Sequence, residues 1–196
     1  MTNISESRLG EIAERYGWVA SFAIWKPEGE RPNSGMNDTS VIHQNLEKLH
    51  TQIVFIGLNI SRPITGEPFQ NWHGGTHDYK LRRSTVGTVA EGAYMTDFLK
   101  KLPEPKSSEA MRRVKREPEL LERNACSLRE ELRFVGASEN TTLIAMGADT
   151  ETLLRRSDFP NEFNVLRMRH YSDYSKRPDV HVSEFHELIA KIPSSH

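Results

Sequence analysis

The chain has 196 residues, enough for one domain that buries a substantial core without disulfide staples. Its composition is ordinary for a globular protein, 36% hydrophobic and 27% charged, and its formal net charge of −1 gives no global attraction to nucleic acid or to an anionic membrane. A single cysteine, Cys126, excludes an internal disulfide and an all-cysteine iron–sulfur cluster, and no apolar run approaches the ~20 residues of a membrane span. In chain order, Leu9, Ile12, Ala13 and Tyr16 repeat at helical spacing after Ser5 and Ser7, either of which can cap, and Gly17 stops that helix. Residues 18–25 read as a short strand or an apolar flap, and residues 26–37, rich in Pro and Gly, read as a loop. Ile42, Leu46 and Leu49 predict a helix begun near Asp38 or Thr39. Ile53, Val54, Phe55 and Ile56 form a continuous apolar run ending in Gly57, the pattern of a strand buried on both faces.

Residues 58–79 show little periodicity, and a loop that long is often functional. A helix is predicted over 80–90, ended by Gly92, then a strand over 93–98. The basic run 111–116 reads as a solvated helix face. Leu121, Ala125, Leu128, Leu132 and Val135 stripe a helix preceded by Pro118 and closed by Gly136, with Cys126 beside the stripe as a buried structural thiol. A strand over 142–146 ends in Gly147, and a helix carrying Leu153 and Leu154 follows. Residues 163–168 make a weaker strand. Val182, Phe185, Ile189 and Ile192 stripe the last helix, which Pro193 ends. Strands separated by helices predict a three-layer α/β/α fold around a mostly parallel sheet of about four strands. The whole chain, 1–196, reads as one domain, with 1–50 an N-terminal helical or flap extension packed on a 52–192 core. The polar N-terminus lacks the apolar centre of a secretion signal, so a cytoplasmic address is expected, and the chain is separately expected to be a monomer.

In such sheets ligands bind outside the carboxyl ends of the strands. Here those ends carry Asn59, Asp97, Gly147 with Asp149, and Arg169-His170-Tyr171-Ser172. Gly57 permits a sharp turn and close approach, and Asn59 offers an acceptor and a donor together, although Asn also favours turns for local reasons. His73, His77 and Asp78 have helical ligand spacing, but Gly74-Gly75 between them argues against a helix, and neither metal nor cofactor is expected. No Walker loop, dinucleotide fingerprint or Gly-x-Ser-x-Gly turn occurs, which argues against an ordinary nucleotide hydrolase, a dehydrogenase or a serine esterase.

Taken in order, four segments resemble the uracil-DNA glycosylase-like superfamily. Gly57-Leu58-Asn59 looks like the first motif of its mismatch-specific branch. Residues 93–100 are similar to its base-reading strand, 143–148 to the strand and glycine turn before its penultimate helix, and Arg169-His170-Tyr171-Ser172 to its closing histidine–proline–serine motif. The resemblance spans residues 52–192. Gly57-Leu58-Asn59 with Asp78 and Arg82-Arg83 is also similar to a broad uncharacterised bacterial family marked by glycine–leucine–asparagine–proline–serine.

The resemblance implies cleavage of the bond between base and sugar. Asn59 would orient the attacking water and His170 would donate a hydrogen bond to the leaving base. The base would lie against Gly57 and Leu58, with Asp97 reading its edge. The loop 69–75 has the composition of a stacking platform, with Phe69 or Trp72 on the base and His73 beside them. Lys80, Arg82, Arg83, Arg169 and Ser172 would meet DNA phosphates, and solvated surface charge is an equal reading of the cations. Three departures from the family matter: Ile60-Ser61 after the asparagine, Tyr171 after the histidine, and Asp97 where the family commonly has asparagine. Ionised Asp97 only accepts, so unless protonated it disfavours uracil and favours an edge with two donors. It also suits a general base, or a cap on the following turn. The expected partner is DNA with a flipped base, or a free nucleobase or nucleotide. A third reading is a non-DNA enzyme reusing the pocket.

Overall fold

Strand β2 (His50–Asn59) forms the centre of a five-stranded sheet. It pairs in parallel with β3 (Ala93–Leu99) on one side and β4 (Thr142–Met146) on the other. β5 (Asn164–Met168) extends the sheet in parallel beyond β4, and the two-residue β1 (Ser21–Phe22) pairs antiparallel with β3 at the opposite edge. The order is therefore β1-β3-β2-β4-β5, mostly parallel, with five strands where about four were predicted. The computed structural model describes residues 4–60 and 66–192; Ser61 and Pro193 lie outside the described residues.

The sheet is covered on both faces because its central strands carry apolar side chains on both faces. Every residue of β3 and β4 is buried. Strand alternation divides β2 between two cores. Val54, Ile56 and Leu58 join Tyr94, Phe98 and Leu143 in one, and Ile53 and Phe55 join Met95, Ile144 and Met146 in the other. The first core is closed by α1 (Glu6–Tyr16), α4 (Ser107–Arg116), α5 (Pro118–Val135) and α6 (Ala148–Arg156). The second is closed by α3 (Asp78–Thr85) and α7 (Pro178–Ile189). The N-terminal 50 residues feed both, through Leu9 and Ile12 of α1 and through Trp25 and Met36.

Caps set the helix ends. Ser5, rather than Ser7, caps α1 by accepting from the Arg8 amide at 3.2 Å. Pro118 opens α5 and Gly136 closes it in a left-handed conformation. The helix predicted from Asp38 or Thr39 is instead the short α2 (Ser40–His43), followed by a 3-10 turn at Leu46–Lys48. The cause is Asn45, whose side chain donates to the Val41 carbonyl at 2.8 Å and competes with the helical ladder. The helix predicted over 80–90 begins earlier and stops at Thr85. Cys126 is exposed rather than buried: it lies one position past Ala125, about 100° around α5 from the stripe. Among the described residues no helix is long and apolar enough to cross a membrane.

Candidate functional site

Gly57 faces Asp97 across the β2–β3 pair. A Cβ at Gly57 would come within 2.2 Å of the Asp97 carboxyl oxygen and 3.1 Å of the Trp72 ring, so only glycine lets that carboxyl and that indole cover the strand. Asp97 is 3% exposed and its Oδ2 accepts from the Asn71 amide at 2.8 Å. Asn71 also donates to the Val19 carbonyl at 2.8 Å, which fixes its orientation. Burial pushes the Asp97 carboxyl up to about 7, against the opposing pull of the Asn71 hydrogen bond and the Lys100 charge. Its protonated form is therefore populated near neutral pH. When protonated it both donates and accepts, which removes the bar against uracil that an ionised aspartate would set.

The loop 69–75 carries both aromatic candidates into the interior, each into a different core. Phe69 is 1% exposed and packs edge-on to Phe22 at 5.6 Å, inside the first core. It is a core residue, as is Trp72 in the second core, 7% exposed. Trp72 lies over Gly57 beside Asp97, and its carbonyl accepts from the Trp25 indole at 3.1 Å. His73 is buried against Trp25 at 5.4 Å and belongs to the packing under the loop; burial lowers it to about 4. Leu58 points into the opposite core from Gly57 by strand alternation, which removes it from base contact.

Asn59 is half-buried, and the two hydrogens of its amide nitrogen are shared among the carbonyls of Ile60 at 3.0 Å, Leu102 at 3.0 Å and Glu104 at 2.7 Å. It thus ties the end of β2 to the segment after β3, and only its Oδ1 is left to orient a water. Asn59→Ala is expected to lower stability by about 1–3 kcal/mol through the carbonyls it orphans, read by urea unfolding.

His170 follows β5 and packs beside Gly147, the positive-φ residue that turns β4 into α6; a Cβ on Gly147 would lie 3.5 Å from the imidazole. The Ser172 amide donates to His170 Nδ1 at 3.3 Å and the Ser172 hydroxyl lies 2.8 Å from the same atom. Nδ1 therefore accepts, and the ring proton sits on Nε2. Burial and the nearby His181 lower the His170 pKa, so the ring is a neutral donor at neutral pH. Ser172 is thus the orienting partner of His170. The Tyr171 ring stacks on His170 at 4.7 Å. Burial, with the charges of Asp78 and Asp97 nearby, raises the Tyr171 hydroxyl well above its ordinary value. Tyr171 also packs, partly buried, against the second core, which contains Trp72.

The candidate phosphate cations are held internally. Lys80 is buried and donates to the Asp173 carbonyl at 3.0 Å. Arg82 donates to the carbonyls of Lys26, Ser34 and Pro32, because a loop without secondary structure needs donors for its buried carbonyls. Arg83 pairs with Glu28, and Arg169 pairs with Glu184 at 2.8 Å and Asp173 at 3.2 Å.

A cleft of about 590 Å³ opens at the carboxyl ends of β4 and β5, between the turn into α6 and α7. His170, Gly147 and Asp173 line it, together with His181 and Phe185 of α7. The sequence reading passed over His181. Its i, i+4 relation to Phe185 on the buried face of α7 was the available signal. Among the described residues no group of three or more His, Cys, Asp or Glu is arranged to hold a metal ion. Comparison of the chain with protein-family models and with curated proteins finds no match.

Proposed function

We propose that the chain binds a nucleobase, free or as a nucleotide, in the cleft at the strand ends. The observation that carries this reading is His170. It is a neutral ring whose Nε2–H is its one remaining polar hydrogen, in a cleft of about 590 Å³, the size class of small-molecule sites. Asp97 and Trp72 are buried and, with Gly57 and Asn59, lie outside the lining of this cleft, so they carry no part of this reading. The internal pairing of Lys80, Arg82, Arg83 and Arg169 favours a small ligand over duplex DNA, because DNA affinity comes mainly from free cations on phosphates.

A second reading is hydrolysis of the N-glycosidic bond of a modified or mismatched base in DNA. The neutral His170 donor favours it, since such a group stabilises a base leaving as an anion. Thermal unfolding with millimolar free bases and nucleotides, set beside binding of damaged-base oligonucleotides at two salt concentrations, separates the two. Stabilisation by free base, with weak oligonucleotide binding, supports the first. Tight, steeply salt-dependent oligonucleotide binding with release of base supports the second. No response in either arm refutes both.

A further inference from the structure

Lys80 of α3 is 4% exposed, and among the described residues its ammonium has one hydrogen-bond partner, the Asp173 main-chain carbonyl at 3.0 Å. It forms no ion pair with a carboxylate among those residues. An ammonium has three hydrogens to place, and taking it out of water without a counter-charge costs more than one hydrogen bond returns. Burial of its four-carbon stem offsets part of that cost. The arrangement is therefore one that water can reverse wherever the chain above Lys80 can lift.

That chain is loosely held. Residues 173–177 connect β5 to α7 without helix or strand, and Tyr174, Ser175, Lys176 and Arg177 are exposed. Their two ends are fixed. At one, the Asp173 amide donates to the His170 carbonyl at 3.0 Å. At the other, Pro178 opens α7 and the His181 amide donates to the Arg177 carbonyl at 3.2 Å. Between those ends, what holds the segment to the rest of the fold among the described residues is the Lys80 hydrogen bond and the Tyr174 ring, edge-on to His77 at 4.7 Å. That ring is itself 82% exposed. The Arg169–Asp173 ion pair at 3.2 Å is partly exposed and adds little. Within the segment the Ser175 amide donates to Asp173 Oδ1 at 2.8 Å, so residues 173–175 form a local turn that can move as one piece.

We propose that residues 173–177 form a strap over Lys80, balanced between a closed state that buries the ammonium and an open state that hydrates it. Asp173 lines the cleft of about 590 Å³ at the strand ends, so opening withdraws part of the cleft wall and closure encloses what lies within. The buried charge sets the balance: it weakens closure, and the strap moves by local opening while the sheet and α7 stay folded. This inference goes beyond the base-binding reading and stands whatever the cleft binds.

Native-state digestion of the full chain with trypsin, followed bond by bond by mass spectrometry, tests it. The bond after Lys176 is the strap's own site, because Arg177 precedes Pro178. In the unaltered chain it should be cut through local opening, faster than the whole chain unfolds under the same conditions. Lys80→Met keeps an apolar stem and removes the buried charge, and should slow that cut about tenfold or more. A cut no faster than global unfolding overturns the strap. A cut unchanged or hastened in Lys80→Met overturns the role of the buried charge, and the proposal with it. Acylation of lysine amines in the unaltered chain decides the matter if Lys80→Met fails to fold. Lys80 should react more slowly than exposed Lys176 and faster than the chain unfolds, and labelling at either limit overturns the proposal. Neither readout involves a ligand, so failure here leaves the base-binding reading untouched.

Discussion

Asp97→Asn is expected to make the protein more stable, and increasingly so as pH rises, with the gap over the unaltered chain widening by about 2–3 kcal/mol between pH 5 and pH 8. The folded carboxyl titrates at about 7 because it is buried, whereas an unfolded aspartate titrates near its ordinary 3.8. Between those values the folded chain keeps a proton that the unfolded chain releases. The stability linked to this group is thus fully present below the unfolded value and is lost as pH rises through about 7. Asn cannot ionise, and its side-chain oxygen still accepts from the Asn71 amide. The histidines push the other way. His73, lowered to about 4, and His50, His170 and His181, also lowered by burial, stay neutral while the unfolded chain binds protons below about 6.5. They erode stability as pH falls, equally in both proteins, and cancel in the difference. Urea unfolding of the two proteins at pH 5, 6, 7 and 8 measures it. Parallel pH profiles would show that Asp97 is ionised throughout.

Glu131→Ala is expected to cost about 3–5 kcal/mol, the usual consequence of breaking a buried ion pair from one side. Glu131 is wholly buried, and it pairs with the buried Lys100 ammonium at 2.7 Å and accepts from the Tyr94 hydroxyl at 2.8 Å. Truncation leaves a buried cation and an orphaned phenol. Lys100 also donates to the Asp97 carbonyl at 2.6 Å, so the pair anchors the end of β3 on which the candidate site is built. Combining Glu131→Leu with Lys100→Met should recover most of the loss, since apolar groups of similar volume replace such pairs at little cost. A double-mutant cycle by urea unfolding reads the coupling. A single-variant loss below 1 kcal/mol would mean that water reaches the pair. In Lys100→Met alone, Asp97 should titrate higher still, because the ammonium that favours its charged form is gone.

The fold was legible where local signals agreed. The strand over 142–146 has its predicted bounds because a run of Leu, Ile and Ala meets Gly147, and α5 runs from Pro118 to the Gly136 stop. β1 was ambiguous because its pairing is dictated by β3 and not by its own two residues. The short α2 was misread because the apolar spacing of Ile42 and Leu46 ignores the side-chain bond of Asn45. At the site, Gly57, Asp97, Trp72 and His170 were legible as residues at strand ends or in the long loop. The fate of Arg82 was not, because its partners are main-chain carbonyls of Lys26, Pro32 and Ser34, and a carbonyl has no letter in a sequence. Phe69 and Trp72, three positions apart in a loop where both take positive φ, differ only in which core the backbone aims them at.

Photocrosslinking with 4-thiouridine and 6-thioguanosine, followed by peptide mapping, tests most directly whether one cleft gathers these segments around a base. Adducts should fall on residues 169–173 and on α7 around His181, and an excess of unmodified base should suppress them. Adducts confined to other surfaces, or none with either probe, would contradict a base-binding cleft at the strand ends.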